Sequence, residues 1–191
     1  MDWSHAFLTE FQAAAVHHST TAVQDRAARC WTLPACGSWK INTDAALDSN
    51  RGLVGIVIII RDHQELVCGS SVQRLRAHFS PQVAEGVALL RGHTFAAELG
   101  FSSACVESDA AVVVASVNVG VVLGSDFGLV LHDIAVVLEQ GNFSSVCFAP
   151  RECNKVAHAL AKLALCLGLD LFLIDCVPHL VEYVTRADMP E

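Results

Sequence analysis

Leu53-Val54-Gly55-Ile56-Val57-Ile58-Ile59-Ile60 is the stretch on which the reading of this chain turns. No polar side chain interrupts it and β-branched residues dominate, the pattern of a central strand covered on both faces. Working outward, Lys40-Ile41-Asn42-Thr43-Asp44-Ala45-Ala46 reads as a first strand on its N-terminal side. On the other side, the polar tetrad Arg61-Asp62-His63-Gln64 has turn character, with His63 a turn residue. Glu65-Leu66-Val67-Cys68-Gly69-Ser70-Ser71 follows as a third strand, close enough to the second for a hairpin.

Beyond the hairpin the period changes. Ser80-Pro81 is a helix start, with Ser as N-cap and Pro at the first helical position. Val83, Val87 and Leu90 then share one face, and Gly100 supplies a stop. Residues 103–108 form a fourth strand. Ser108-Asp109 opens a second helix of Ala and Val, weak in propensity and dependent on packing. A third helix over 126–140 stops at Gly141-Asn142, a fifth strand covers 143–149, and a last helix covers 152–167. The order β-β-β-α-β-α-α-β-α predicts an α/β fold: a five-stranded mixed sheet with helices on both faces. Residues 39–180 are expected to form this domain, with a loosely attached extension at 1–38 and a tail at 181–191. Within the extension, residues 7–15 could be a short helix, His17 and His18 read as surface histidines, and residues 33–38 read as a linker.

Composition narrows the function classes. The chain of 191 residues is 53% hydrophobic and 17% charged, enough for a sizeable core and too apolar for disorder. The longest uncharged stretch, Ala110 to Ser125, is broken by Ser116, Asn118 and two glycines, so no membrane span is expected. A net charge of −8 argues against sequence-blind nucleic-acid binding, which needs cations on phosphates. Arg74 with Arg76, and Arg151 with Lys155, are local basic pairs that read as solvated surface. The 8 cysteines contain no CxxC pair and several lie in apolar runs. With no secretory leader visible, a reducing intracellular compartment is expected, nucleus and cytoplasm not being distinguished.

The chemistry lies in three carboxylates, each at the edge of a different element: Asp44 in the first strand, Glu85 near the start of the first helix, and Asp109 at the end of the fourth strand. Taken singly, each reads equally as a solvated cap or strand end. Flanked by apolar sequence, they border a core, where an ionised carboxylate is costly without a partner. A divalent metal is one such partner, and Mg²⁺ selects oxygen ligands.

The ordered series Lys40 to Asp44, Arg61-Asp62-His63, Ala84-Glu85, Val106-Glu107-Ser108-Asp109 and Pro150 to Ala161 resembles the ribonuclease H-like domains of plant non-LTR retrotransposons and their stand-alone derivatives. The resemblance implies hydrolysis of the RNA strand of an RNA–DNA hybrid, with Mg²⁺ as cofactor and Mn²⁺ as substitute. Asp44, Glu85 and Asp109 match the family's metal-binding acids, which hold two ions about 3.5–4 Å apart. The fourth acid is missing. His158 stands in its place, four residues after the matching Asn154. It is expected either as a softer catalytic ligand that weakens one metal site, or as a helix surface residue. Asn42, Ser108 and Asn154 are the expected contacts to the hybrid, through its minor groove and 2′-hydroxyls. Gly86 and Gly92 weaken the first helix by about 1 kcal/mol each. His158, these glycines and the acidic balance leave two alternatives open: a catalytically impaired nucleic-acid-binding module, or a domesticated retroelement remnant.

Overall fold

A computed structural model describes residues 31–120, 124–140 and 145–175. The expected helix at 7–15, His17, His18, the stop at Gly141-Asn142 and the tail at 181–191 lie outside the described residues. The elements are β1 (Trp39–Asp48), β2 (Leu53–Arg61), β3 (Val67–Arg76), α1 (Pro81–Glu98), β4 (Ala104–Ser108), α2 (Ala111–Val119), α3 (Asp126–Gln140), β5 (Ser145–Phe148), a 3₁₀ turn (Arg151–Cys153), α4 (Lys155–Ala164) and β6 (Leu171–Ile174).

They form one mixed sheet in the order β5-β4-β1-β2-β3-β6. β1, β2, β3 and β6 run antiparallel to their neighbours in that row, while β4 lies parallel to β1 and β5 parallel to β4. The sheet therefore has six strands, not the expected five. The missed strand is the four-residue run Leu-Phe-Leu-Ile, apolar at every position, so no alternation marks it. It is held by pairing to β3, with Gly69 opposite Ile174. The third strand also extends to Arg76. Its polar end, Gln73-Arg74-Leu75-Arg76, hides in sequence a ladder that pairs in register with Leu53–Ile56.

β2 is central as expected. Val54 and Ile56 to Ile60 are all 0% exposed, and each such side chain contributes about 1.5–3 kcal/mol of burial. Alternation sends Val57 and Ile59 to one face, where Val72, Val156, Leu160 and Leu163 pack. Ile58 and Ile60 go to the other, with Ile41, Leu89, Val106, Val113 and Ile134. Thus α4 covers one face and α1 to α3 the other.

Three glycines set how closely the helices approach. A Cβ on Gly92 would lie 2.6 Å from Thr43 Cγ2, and one on Gly86 would lie 2.8 Å from Val130 of α3. Across the sheet, a Cβ on Gly55 would sit 2.1 Å from the Ala161 carbonyl oxygen. The glycines of α1 thus spend helix propensity on close contact with β1 and α3. They are packing features, and they give no support to decay of the sequence.

The termini of α1 follow the sequence signals. Ser80 Oγ accepts from Val83 N–H at 3.3 Å. Gly100 takes φ +77° and the Phe101 amide reaches back to the Ala96 carbonyl at 2.9 Å, closing the helix. The last helix is shorter than 152–167, because Asn154 at φ −118° separates the 3₁₀ turn from α4. Among the described residues, no helix is long and apolar enough to cross a membrane.

Candidate metal centre

β1 carries Asp44 opposite Val57 in the middle of the sheet, on the face that α4 covers. Its side chain is 3% exposed. β4 lies beside β1 in parallel and ends at Ser108, so the chain turns and presents Asp109 next to Asp44. The turn is set by Ser108, whose Oγ accepts from the Ala110 amide at 3.2 Å. α1 crosses β1 at Gly92 and delivers Glu85 beside Asp44 and Ala45. One ligand oxygen from each of Asp44, Glu85 and Asp109 lies within 4.8 Å of the others. Acids separated by 41 and 24 residues in sequence thus meet at one point.

The electrostatics follow from that crowding. Glu85 is pushed up to about 9, first by burial and then by the charges of Asp44 and Asp109. Asp109 is also raised, by burial and then by Asp44, against the opposing pull of Arg151. With no cation present, Glu85 therefore holds a proton at neutral pH, which is what a carboxyl needs to donate to Asp44. Its second oxygen, Oε2, is buried and has no hydrogen-bond partner. A buried acceptor without a partner costs about 1–3 kcal/mol.

His158 adjoins the cluster from α4. It is a half-buried neighbour of Asp44, with Nδ1 2.8 Å from Asp44 Oδ2. Arg151 Nη2 lies 2.5 Å from His158 Nε2 and 3.2 Å from Nδ1. A carboxylate oxygen accepts, so Nδ1 carries the hydrogen directed at Asp44, and the Arg151 guanidinium lies close against the ring. With Nδ1 facing Asp44 and the Arg151 guanidinium beside Nε2, a positive charge already occupies the approach to the imidazole. Arg151 also places Nη1 3.7 Å from Asp109 Oδ2, a loose pair given that its own side chain is 63% exposed. Arg151 is the solvated residue that the sequence suggests, and it also reaches His158 and Asp109. The signal that could have found it is its spacing of seven residues before His158, across the start of α4.

The positions expected to contact substrate sit close by. Asn42 and Ser108 are 0% exposed and Asn154 1%, so their side chains lie inside the fold. Asn42 donates to Glu107 Oε2 at 3.0 Å and accepts from Arg61 Nη2 at 2.9 Å, while Lys40 pairs with Glu107 Oε1 at 2.7 Å. Trp31 closes this network: the Arg61 guanidinium carbon lies 3.8 Å from its ring centre, and its other side packs on Ala149 and Cys153. Asn154 donates to the Thr43 carbonyl at 2.9 Å, which pins the start of α4 beside Asp44. These residues hold the frame that positions the acids.

A model of the "Reverse transcriptase-like" family matches residues 42–164. The chain belongs to the reverse transcriptase-like family. It is 27% identical over 158 residues to an Arabidopsis thaliana protein that carries a ribonuclease H name, an alignment covering 83% of this chain and 25% of that protein. The chain thus spans about a quarter of the curated relative it matches. Among solved structures, the ribonuclease H domain of Rv2228c from Mycobacterium tuberculosis is 24% identical with a TM-score of 0.60, over 67% of this chain and 93% of that one. The ribonuclease H1 of Halobacterium salinarum gives 20% and 0.62, over 67% and 97%. LC11-RNase H1, solved in complex with an RNA/DNA hybrid, gives 21% and 0.60, over 67% and 96%. These likenesses establish that this reverse transcriptase-like chain has the ribonuclease H fold. The resemblance read from the five sequence motifs holds.

Proposed function

We propose that the chain is a divalent-cation-dependent phosphodiester hydrolase that cleaves the RNA strand of an RNA–DNA hybrid. The observation that carries this is the convergence of Asp44, Glu85 and Asp109 within 4.8 Å, with Glu85 Oε2 buried and without a partner. The donor set is all carboxylate, which suits a hard ion such as Mg²⁺, with Mn²⁺ as substitute. A cation bound there would make a water nucleophilic at neutral pH and neutralise charge building on the phosphate.

The chain's own groups do the rest. Asp44, fixed in the sheet, is the common ligand. Asp109 and Glu85 approach it from separate elements, so that an ion is gripped from two directions. Glu85 gives up its proton when a cation replaces it. Arg151, exposed and 3.7 Å from Asp109, offers a guanidinium suited to a phosphate oxygen. Hybrid as substrate is supported by the family and by the solved complex of LC11-RNase H1 with an RNA/DNA hybrid.

The test is cleavage of a labelled RNA–DNA hybrid in Mg²⁺ or Mn²⁺, with duplex RNA and duplex DNA alongside. Hybrid-selective cleavage lost in Asp44→Asn is the expected result. Hybrid bound but uncut at saturating ion would refute catalysis and leave a binding module.

A further inference from the structure

The Arg151–His158 pair closes over the aspartates as an arm, and it bears on how many cations the centre holds. Asp44 Oδ2 receives His158 Nδ1–H at 2.8 Å, and Asp109 Oδ2 faces Arg151 Nη1 at 3.7 Å. One oxygen of each aspartate is thus directed at the arm. Glu85 adds a further oxygen, Oε2, which is buried without a partner. A second buried acceptor without a partner, Asn154 Oδ1, lies on a side chain that is 1% exposed and bonds to the Thr43 carbonyl next to Asp44. The unmet acceptors therefore come from α1 and the start of α4, and the donors come from the arm.

We infer that the substrate-free protein binds one divalent cation, held by Glu85 with Asp44 and Asp109, and that the Arg151–His158 arm takes the place of a second. The inference rests on the metal-dependent reading above and deepens it. Three carboxylates are balanced by one divalent ion together with one guanidinium. A second ion would leave a net positive charge in a cluster where Asp44 is nearly sealed from water, which is unfavourable. It would also find no ligand on the arm side, because His158 Nε2 is covered by Arg151 and Nδ1 points its hydrogen at Asp44. Arg151 is a fixed cation with a fork of donors suited to phosphate oxygens. It brings to that side the positive charge that a second ion would otherwise supply.

The decisive measurement is a Mn²⁺ titration of the full chain, reading free ion by its electron paramagnetic resonance signal. One ion per chain is expected for the native protein and two for His158→Asp, which removes the imidazole and adds a carboxylate. Two ions in the native protein, or one in a folded His158→Asp, overturns the inference. A second measurement does not depend on that variant folding: ¹⁵N NMR of the histidines without metal. His158 is expected as the Nδ1–H tautomer, and Arg151→Leu is expected to shift it toward the commoner Nε2–H form. A native Nε2–H tautomer overturns the arm. Hybrid cleavage is a separate readout: one bound ion without cleavage supports this inference and removes the proposed function.

Discussion

Replacing Glu85 by Gln separates the cost of the centre from its use. Glu85 is the acid that the fold treats worst, moved from 4.5 up to about 9 by burial and by its two acidic neighbours. A folded-state value above the unfolded one means that its stabilising contribution is complete below about pH 4.5 and lost as pH rises toward 9. At pH 7 the native chain must take up a proton on folding, across two and a half units at about 1.36 kcal/mol each, or roughly 3 kcal/mol. That proton belongs to the coupled cluster, so the figure is an upper bound on one residue's share. A glutamine amide needs no proton and still donates to Asp44. In chelator at pH 7, Glu85→Gln is therefore expected to be the more stable protein by up to about 3 kcal/mol. In a chain of this size that corresponds to roughly 6–12 °C in melting temperature. The advantage should vanish near pH 4.5 and grow toward pH 9. Saturating Mg²⁺ should then reverse the order, because the native protein alone gains binding energy on folding. The assay is a set of thermal melts from pH 4.5 to 9, with chelator and with Mg²⁺, taken as native minus variant. A variant less stable than native in chelator at pH 7 to 8, or a difference flat across pH, refutes the reasoning.

Asp44→Asn should keep the fold, by circular dichroism, and lose hybrid cleavage by more than about a hundredfold, since it removes the common ligand; residual cleavage at native rate would place the chemistry elsewhere. Gly92→Ala should destabilise the fold by about 1–3 kcal/mol in urea titrations, because its Cβ would press on Thr43 at 2.6 Å. A stabilised Gly92→Ala would show helix propensity winning over packing. Trp31→Ala should cost about 3–5 kcal/mol, the usual range for deleting a buried indole, and the same urea titration decides it.

The β1–β2–β3 row was legible because its strands are long, β-branched and separated by turn residues. β6 was not, because four apolar residues carry no period and pairing alone makes them a strand. The helix starts at Ser80 and stops at Gly100 were legible as local chemistry, whereas the break at Asn154 depends on a bond to Thr43, 111 residues away. At the centre, the three acids were found by their place at element edges. What His158 does was not, since it depends on Arg151 and Asp44 meeting it in space. Asn42, Ser108 and Asn154 stand out in sequence as polar residues beside the acids, but their partners are not visible there. β1 and β4 run parallel with Asn42 opposite Glu107, which turns that polarity inward. Gly86 and Gly92 show the same limit, since propensity sees only the helix they sit in.

The position of Trp31 has a practical bearing on where the chain can be cut. A boundary at Trp39, which the strand pattern invites, would remove the indole from above Arg61 and from against Cys153. A buried guanidinium would then be opened to water, and the turn bearing Arg151 would lose its backing. Fragments intended for nuclease assays should begin upstream of residue 31, or a dead fragment will be mistaken for a dead enzyme.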